Sequence, residues 1–303
     1  IALVRGEGAR VWDAEDREYL DFVAGIAVCN LGHSHPKVVK AIKKQAKELM
    51  HVSNLYYTKP QADVAAWLVA HSFADRVFFC NSGAEANEAA IKLARKYAHE
   101  KMGGGRFELI TMKDSFHGRT MATITATGQE KFQFGFTPLL DGFTYVPFND
   151  PDALEAAITP KTCGVMLEPI QGEGGVIIPD AAYLARVRDI CDRRHILMIV
   201  DEVQTGIGRT GKLFAYEHSG VTPDIMTLAK ALGNGFPVGA MLAREEVAGA
   251  FVPGNHASTF GGNLLGMAAV KATIKALVEG GVLDNCREMG EYFLAKLRKL
   301  QEK

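Results

Sequence analysis

The chain has 303 residues, 48% of them hydrophobic, and a formal net charge of −1. That is enough apolar material for one main domain with a smaller appendage, and near-neutral charge gives no electrostatic argument for a nucleic-acid or membrane partner. No apolar run approaches the roughly 20 residues of a membrane span, no signal peptide opens the chain, and Cys29, Cys80, Cys163, Cys191 and Cys286 are scattered without a CxxC pair, as in a reducing cytoplasm.

In chain order, residues 10–28 read as a hairpin of two β-rich runs around an acidic turn. GHSHP follows; His33 and His35 would share one side of a strand as a metal pair could, but no third ligand stands near, and turn or helix-entry histidines are the ordinary reading. Pro36 opens a helix with Val38, Ile42 and Leu49 at apolar spacing and a wet face of lysines. RVFFC (76–80) is a buried strand, NSGAE a tight turn, and the following residues a helix with Ala86, Ala90, Leu93 and Tyr97 inward. A strand, a small-residue turn and a helix N-terminus aim free amides at one spot, so this is an anion site or an ordinary cap, with Ser82 as an added hydroxyl donor. After glycines 103–105, FELITM is a strand, and SFHGRT (115–120) lies past its carboxyl end. Phe116 is placed to lie on an aromatic ring, and Arg119 either forks onto a substrate carboxylate or makes a surface salt bridge. His117 is not read as a general base.

YVPFNDPDALEAAI gives strand, turn and helix, with Asp150 or Asp152 as the cap. Three apolar runs of strand length then end on charge: VML on Glu168, ILMIV on Asp201 and IMTLA on Lys230. Unbroken runs of this kind are strands buried on both faces of a parallel sheet. Ligands of such sheets sit beyond the carboxyl ends, which puts all three charges at one crevice. A lysine at the edge of an apolar site loses its proton and attacks a carbonyl. Pyridoxal phosphate needs that lysine, a carboxylate on its ring nitrogen and a phosphate cradle. Glu173, five residues past Glu168, is read as a substrate screen or gate rather than an acid–base partner.

Gly206, Gly208 and Gly211 match GxGxxG, with Asp224 near the distance of a ribose-binding acid. A dinucleotide fingerprint, however, needs its first glycine directly after the strand, and DEVQT intervenes. These glycines instead read as a loop folded over the site, with Gln204 in reach of the cofactor. GNGFPVGAMLA supplies a turn and a further strand, HASTFGGN a polar loop, and NLLGMAAVKATIKALVEGG a long helix. The chain starts at Ile1 and stops within an amphipathic pattern (Met289, Phe293, Leu297, Leu300) with no capping signal, so truncation at both ends is expected. Alternating strands and helices make the fold α/β with a mostly parallel sheet.

Taken together, NSGAEANEAAIKLAR, FHGRT, EPIQGEGG, DEVQTGIGRTG, TLAKALGNGFPVGA and STFGGN resemble the class-III aminotransferases nearly end to end, from about Arg5 to the last helix. The resemblance implies a fold-type I pyridoxal-phosphate transferase: a large cofactor domain over 46–280, helices on both faces of its sheet, and a smaller domain built from 1–45 and 281–303. It implies Lys230 as the amine that takes the cofactor's aldehyde and later moves the proton, with Asp201 on the pyridine nitrogen. Val203 and Phe116 would flank the ring and Gln204 meet its hydroxyl. Ser82, Gly83 and Ala84 would take the phosphate, completed by Thr259 of a second subunit in a homodimer. Arg119 would hold the substrate's α-carboxylate, with Glu173 and Ser258 also on the substrate side; no metal is implied. The implied reaction moves the distal amine of N2-acetylornithine to 2-oxoglutarate in arginine biosynthesis.

Succinylornithine, ornithine and 4-aminobutyrate share the motifs and stay open as donors. A nicotinamide-dependent oxidoreductase and a non-catalytic scaffold are the readings from other classes. The chain departs from the family at three places. The C-terminal arginine that pairs with the Glu173 position is absent, Ile26 stands where ornithine-specific members carry tyrosine, and Asp16 replaces a turn glycine.

Overall fold

A computed structural model describes all 303 residues. Its centre is a seven-stranded sheet in the order β4-β10-β9-β8-β7-β5-β6, formed by Arg76–Cys80 (β4), Gly239–Ala243 (β10), Ile225–Leu228 (β9), Leu197–Asp201 (β8), Thr162–Leu167 (β7), Glu108–Met112 (β5) and Phe143–Val146 (β6). All pairings from β9 through β6 are parallel, whereas β10 runs antiparallel to both β9 and β4. The apolar runs become strands because every residue of β7, β8, β9 and β10 is buried, as a sheet covered on both faces demands.

The period-two alternation of strands sorts β8 between the faces. Leu197 and Ile199 pack with Ala89, Ala90 and Leu93 of the helix Gly83–Lys101, while Met198 and Val200 pack with Leu184, Val187 and Ile190 of the helix Tyr183–Arg194. By that parity Asp201 falls on the side of the helix Gly83–Lys101, which places it over Asn87. A third core joins Val64 and Leu68 of the helix Lys59–Ala70 to Met267, Val270 and Ile274 of the helix Leu264–Glu279.

Caps follow the sequence. Ser82 caps Gly83–Lys101, Asp150 accepts from Ala153 N at 2.9 Å, and Asn263 accepts from Gly266 N at 2.8 Å. Pro36 opens Pro36–Glu48, which ends before Leu49; Leu49 is extended and outside the helix.

The N-terminal hairpin is shorter than expected. Arg10–Asp13 (β2) and Glu18–Leu20 (β3) pair antiparallel, with Leu3–Glu7 (β1) added on the other edge of β2. Residues 24–27 form a left-handed turn instead of strand, with Ile26 at φ 62° and 63% exposed. Asp16 adopts φ 60°, a conformation that aspartate tolerates better than most residues. His33 Nε2 donates to Asp21 Oδ2 at 2.6 Å, and His35 precedes the proline-led helix.

The chain ends in the helix Val282–Gln301, whose Tyr292, Phe293, Leu294, Leu297 and Leu300 are all exposed. No helix is long and apolar enough to cross a membrane, and all five cysteines are free.

Candidate active site

Beyond the carboxyl ends of β4, β5, β7, β8 and β9 lies a cavity of about 410 Å³. Ser82, Gly83, Ala84, Phe116, Arg119, Glu168, Glu173, Asp201, Val203, Gln204 and Lys230 all line it, joined by Val28, Asn87 and His117. Segments scattered from residue 28 to residue 238 thus converge on one volume, as the strand-end argument requires.

The floor is Asp201, the last residue of β8 and 3% exposed. Its Oδ2 accepts from Asn87 Nδ2 at 2.7 Å and from His117 Nδ1 at 2.8 Å, and its Oδ1 accepts from the Val203 amide at 3.0 Å. A carboxylate offers about four acceptor positions, so one on Oδ1 is left for a donor from the cavity. His117, set aside in the sequence, is the residue that sequence reasoning missed here. It is buried behind Asp201 rather than presented to a substrate. Burial opposes its charge, but the hydrogen bond and charge of Asp201 and the charge of Glu168 outweigh burial and raise its pKa.

Lys230 follows β9 by two residues and sits half-buried with φ 42°. A non-glycine residue in the left-handed region is strained, and such strain collects at functional sites. Burial lowers its pKa against the pull of Asp201, Glu168 and Glu173. A larger share of this amine is therefore neutral near pH 7 than for a free lysine.

Glu168 ties two loops together: its carboxylate accepts from Phe116 N at 3.0 Å and from Gly172 N at 3.2 Å. Burial pushes its pKa up to about 7. Glu202, next to Asp201, is buried as well; it accepts from Thr205 Oγ1 at 2.5 Å and Tyr216 N at 2.7 Å, and burial likewise brings it to about 7.

At the opposite wall the Ser82 hydroxyl accepts from Glu85 N at 3.2 Å, while Glu85 reaches back to Asn81 N at 2.8 Å. This reciprocal cap leaves the Gly83 and Ala84 amides without partners within the helix. A Cβ on Gly83 would lie 2.8 Å from Val203 Cγ1, so only glycine lets the turn approach that side chain. Gly118, at φ 138°, fits against Thr123 and Ala84 in the same way and draws the SFHGRT loop onto the turn. Free amides at a helix N-terminus, the apolar side chains of Val203 and Phe116 on the cavity wall, an open acceptor on Asp201 and a lysine with depressed pKa suit a phosphorylated aromatic aldehyde.

Arg119 is exposed at the mouth and enters no ion pair; its guanidinium lies 4.4 Å from the Phe132 ring centroid and 5.6 Å from that of Phe116. The surface salt bridge weighed for it does not form. Glu173 is exposed and unpaired too. Ser258 lies behind the cradle, where its Oγ accepts from Asn81 Nδ2 at 3.3 Å and Gly261 N at 3.0 Å. Thr259 faces a separate small hollow with His51 and Asn54. Ile26 stands outside the cavity and Val28 inside it.

The GxGxxG stretch is a succession of turns with no α-helix after it, and its Gly208 and Gly211 pack against Leu283 and Arg287 rather than over the cavity. Asp224 is occupied by Met198 N at 2.7 Å and Arg188 Nη1 at 2.8 Å. No strand-to-helix dinucleotide turn is therefore present.

This chain belongs to the class-III aminotransferases, whose family model matches residues 1–303; members of that family depend on pyridoxal phosphate. It is 58% identical over its full length to the acetylornithine aminotransferase of Caldanaerobacter subterraneus, covering 77% of that protein, and 55% identical to that of Methanocaldococcus jannaschii, covering 76%. Among solved structures, the N-acetylornithine aminotransferase of Stenotrophomonas maltophilia superposes with a TM-score of 0.86 at 42% identity, with all of this chain and 75% of that one covered. The ornithine aminotransferase of Toxoplasma gondii superposes with a TM-score of 0.96 at 36% identity, over 99% of this chain and 72% of that one.

Proposed function

We propose that the protein transfers the distal amine of N2-acetyl-L-ornithine to 2-oxoglutarate, giving N-acetyl-L-glutamate 5-semialdehyde and L-glutamate, within arginine biosynthesis. The observation that carries this reading is that Lys230, Asp201 and the unpaired Arg119 open onto one cavity. The names of the most similar relatives support the donor.

Pyridoxal phosphate, when bound, supplies the electron sink for the carbon that gives up its amine. Ser82, Gly83 and Ala84 would take its phosphate at the helix N-terminus. Phe116 and Val203 would flank its ring, Gln204 would meet its hydroxyl, and Asp201, locked by three donors, would keep its ring nitrogen protonated. Lys230 would be the amine that meets the cofactor's aldehyde and moves the proton, a task to which its depressed pKa is suited. Arg119 takes the substrate's α-carboxylate by its fork of N–H donors, so the distal amine is the end that reaches Lys230. Glu173, exposed and without an ion pair in the chain, would screen or gate the substrate, and Ser258, bonded to Asn81 and Gly261 behind the cradle, would act on the substrate side only through them.

Thr259 completes the phosphate site of a second copy, so the working unit is a homodimer. Exposed Leu55, Tyr56, Tyr57 and Phe260 near the hollow that holds Thr259 support this. Residues 46–280 form the cofactor domain, and 1–45 with 281–303 belong to a smaller one. Five free cysteines suit a cytoplasmic setting.

The test is the amine half-reaction of the holoenzyme, followed by absorbance with acetylornithine, succinylornithine, ornithine and 4-aminobutyrate in parallel. Acetylornithine is expected to react with the highest efficiency; a higher value for another amine would reassign the donor.

A further inference from the structure

The Arg119 guanidinium is held without a carboxylate. A salt bridge would fix it, but would also consume the N–H fork and cancel the charge that a substrate needs. An aromatic face attracts the cation through its flat surface and leaves the edge donors free. Phe132 provides that face at 4.4 Å, and it meets Phe116 edge to face, with centroids 5.4 Å apart and planes at 76°.

Phe132 sits on a single helical turn, Glu130–Gln133; the preceding Gln129 ties it to the loop that carries Phe116 and Arg119, and its last residue, Gln133, ties it to the helix Met121–Ala126 and its C-cap and to Tyr145 of β6. Gln129 Nε2 donates to Ser115 O at 2.9 Å. Gln133 Nε2 donates to Thr127 O at 2.8 Å and to Tyr145 Oη at 3.0 Å. The ring is therefore fixed against the very segment whose arginine it supports.

We propose that Phe132 is a positioning residue that sets donor specificity, holding Arg119 at the cavity mouth with its N–H donors free for a substrate carboxylate. This rests on the role given to Arg119 above. Phe132 touches neither cofactor nor reacting atoms; it acts through the arginine.

The experiment uses the full-length holoenzyme and compares N2-acetylornithine with n-pentylamine, which reaches the same depth and lacks a carboxylate. Amine half-reactions are measured by stopped-flow absorbance, and pyridoxal-phosphate affinity by fluorescence titration. Phe132→Leu is expected to raise the apparent dissociation constant of acetylornithine about three- to tenfold, the range of a lost cation–π contact. The pentylamine constant and the cofactor affinity should stay unchanged. Phe132→Tyr keeps a ring face and should behave as wild type. In an Arg119→Ala background, Phe132→Leu should add nothing, because the two residues act as one unit. An equal shift for both amines, an unchanged acetylornithine constant, or full additivity with Arg119→Ala would overturn the proposal. A wild type with no preference for the carboxylate-bearing donor would overturn the role of Arg119 itself, a result that the variants are not needed to read.

Discussion

His117 stands directly behind Asp201, its Nδ1 2.8 Å from Oδ2, with both side chains closed to solvent. The carboxylate that faces the cavity is thus backed by a second titratable group and by Asn87, and its orientation is decided on the side away from the ligand. His117→Phe removes one donor from a buried carboxylate, a loss of about 1.5–3 kcal/mol for a hydrogen bond to a charged group. Cofactor affinity is expected to fall about 10- to 100-fold, read by fluorescence titration, with the apoprotein still folded by circular dichroism. Unchanged affinity would mean that the histidine only fills space.

Asp201→Ala removes the carboxylate itself. Preorganised charges of this kind are worth on the order of 10²–10³ in rate, and a kcat loss of that size is expected, together with weaker cofactor binding. Asp201→Asn keeps the shape and should lose nearly as much rate, since an amide cannot hold a cationic nitrogen.

The approach of Gly83 to Val203 makes a paired prediction. Gly83→Ala places a methyl group 2.8 Å from Val203 Cγ1, and overpacking of this kind costs about 1–3 kcal/mol. Cofactor affinity should drop, and Val203→Ala in the same chain should restore part of it. Two losses that simply add would show that the contact is not the cause.

Glu202 ties stability to pH. Burial raises it from 4.5 to about 7 in the folded chain. Between those limits the folded chain keeps a proton that the unfolded chain has released. Its contribution is therefore complete below pH 4.5 and lost as pH rises through 7, with a slope of up to about 1.4 kcal/mol per pH unit. Denaturant unfolding of wild type and Glu202→Gln between about pH 5 and 8 should give curves that separate as pH rises, the wild type losing stability relative to the neutral variant. Parallel curves would show that Glu202 titrates alike in both states.

Much of this was readable from the residues alone, for identifiable reasons. The strands declared themselves because burial on both faces demands unbroken apolar runs, and their charged endings, Glu168, Asp201 and Lys230, do meet at one cavity. The helix Tyr183–Arg194 is hard to read in the sequence because charges dominate it, although Leu184, Val187 and Ile190 keep helical spacing. The antiparallel setting of β10 is invisible in its apolar run, since strand direction is decided by the path of the connecting chain. Phe132 and His117 were illegible as partners: a ring over a guanidinium and an imidazole behind a carboxylate depend on the meeting of segments remote in sequence. The GxGxxG match at Gly206–Gly211 is no dinucleotide turn for a local reason: Gly208 and Gly211 make room for the C-terminal helix.

Borohydride reduction of the holoprotein followed by peptide mass spectrometry tests the central claim most directly. The account predicts loss of the visible absorbance and a phosphopyridoxyl group on the Nζ of Lys230, with Lys230→Ala leaving no labelled peptide. A label on another lysine, or reduction without any label, would contradict it.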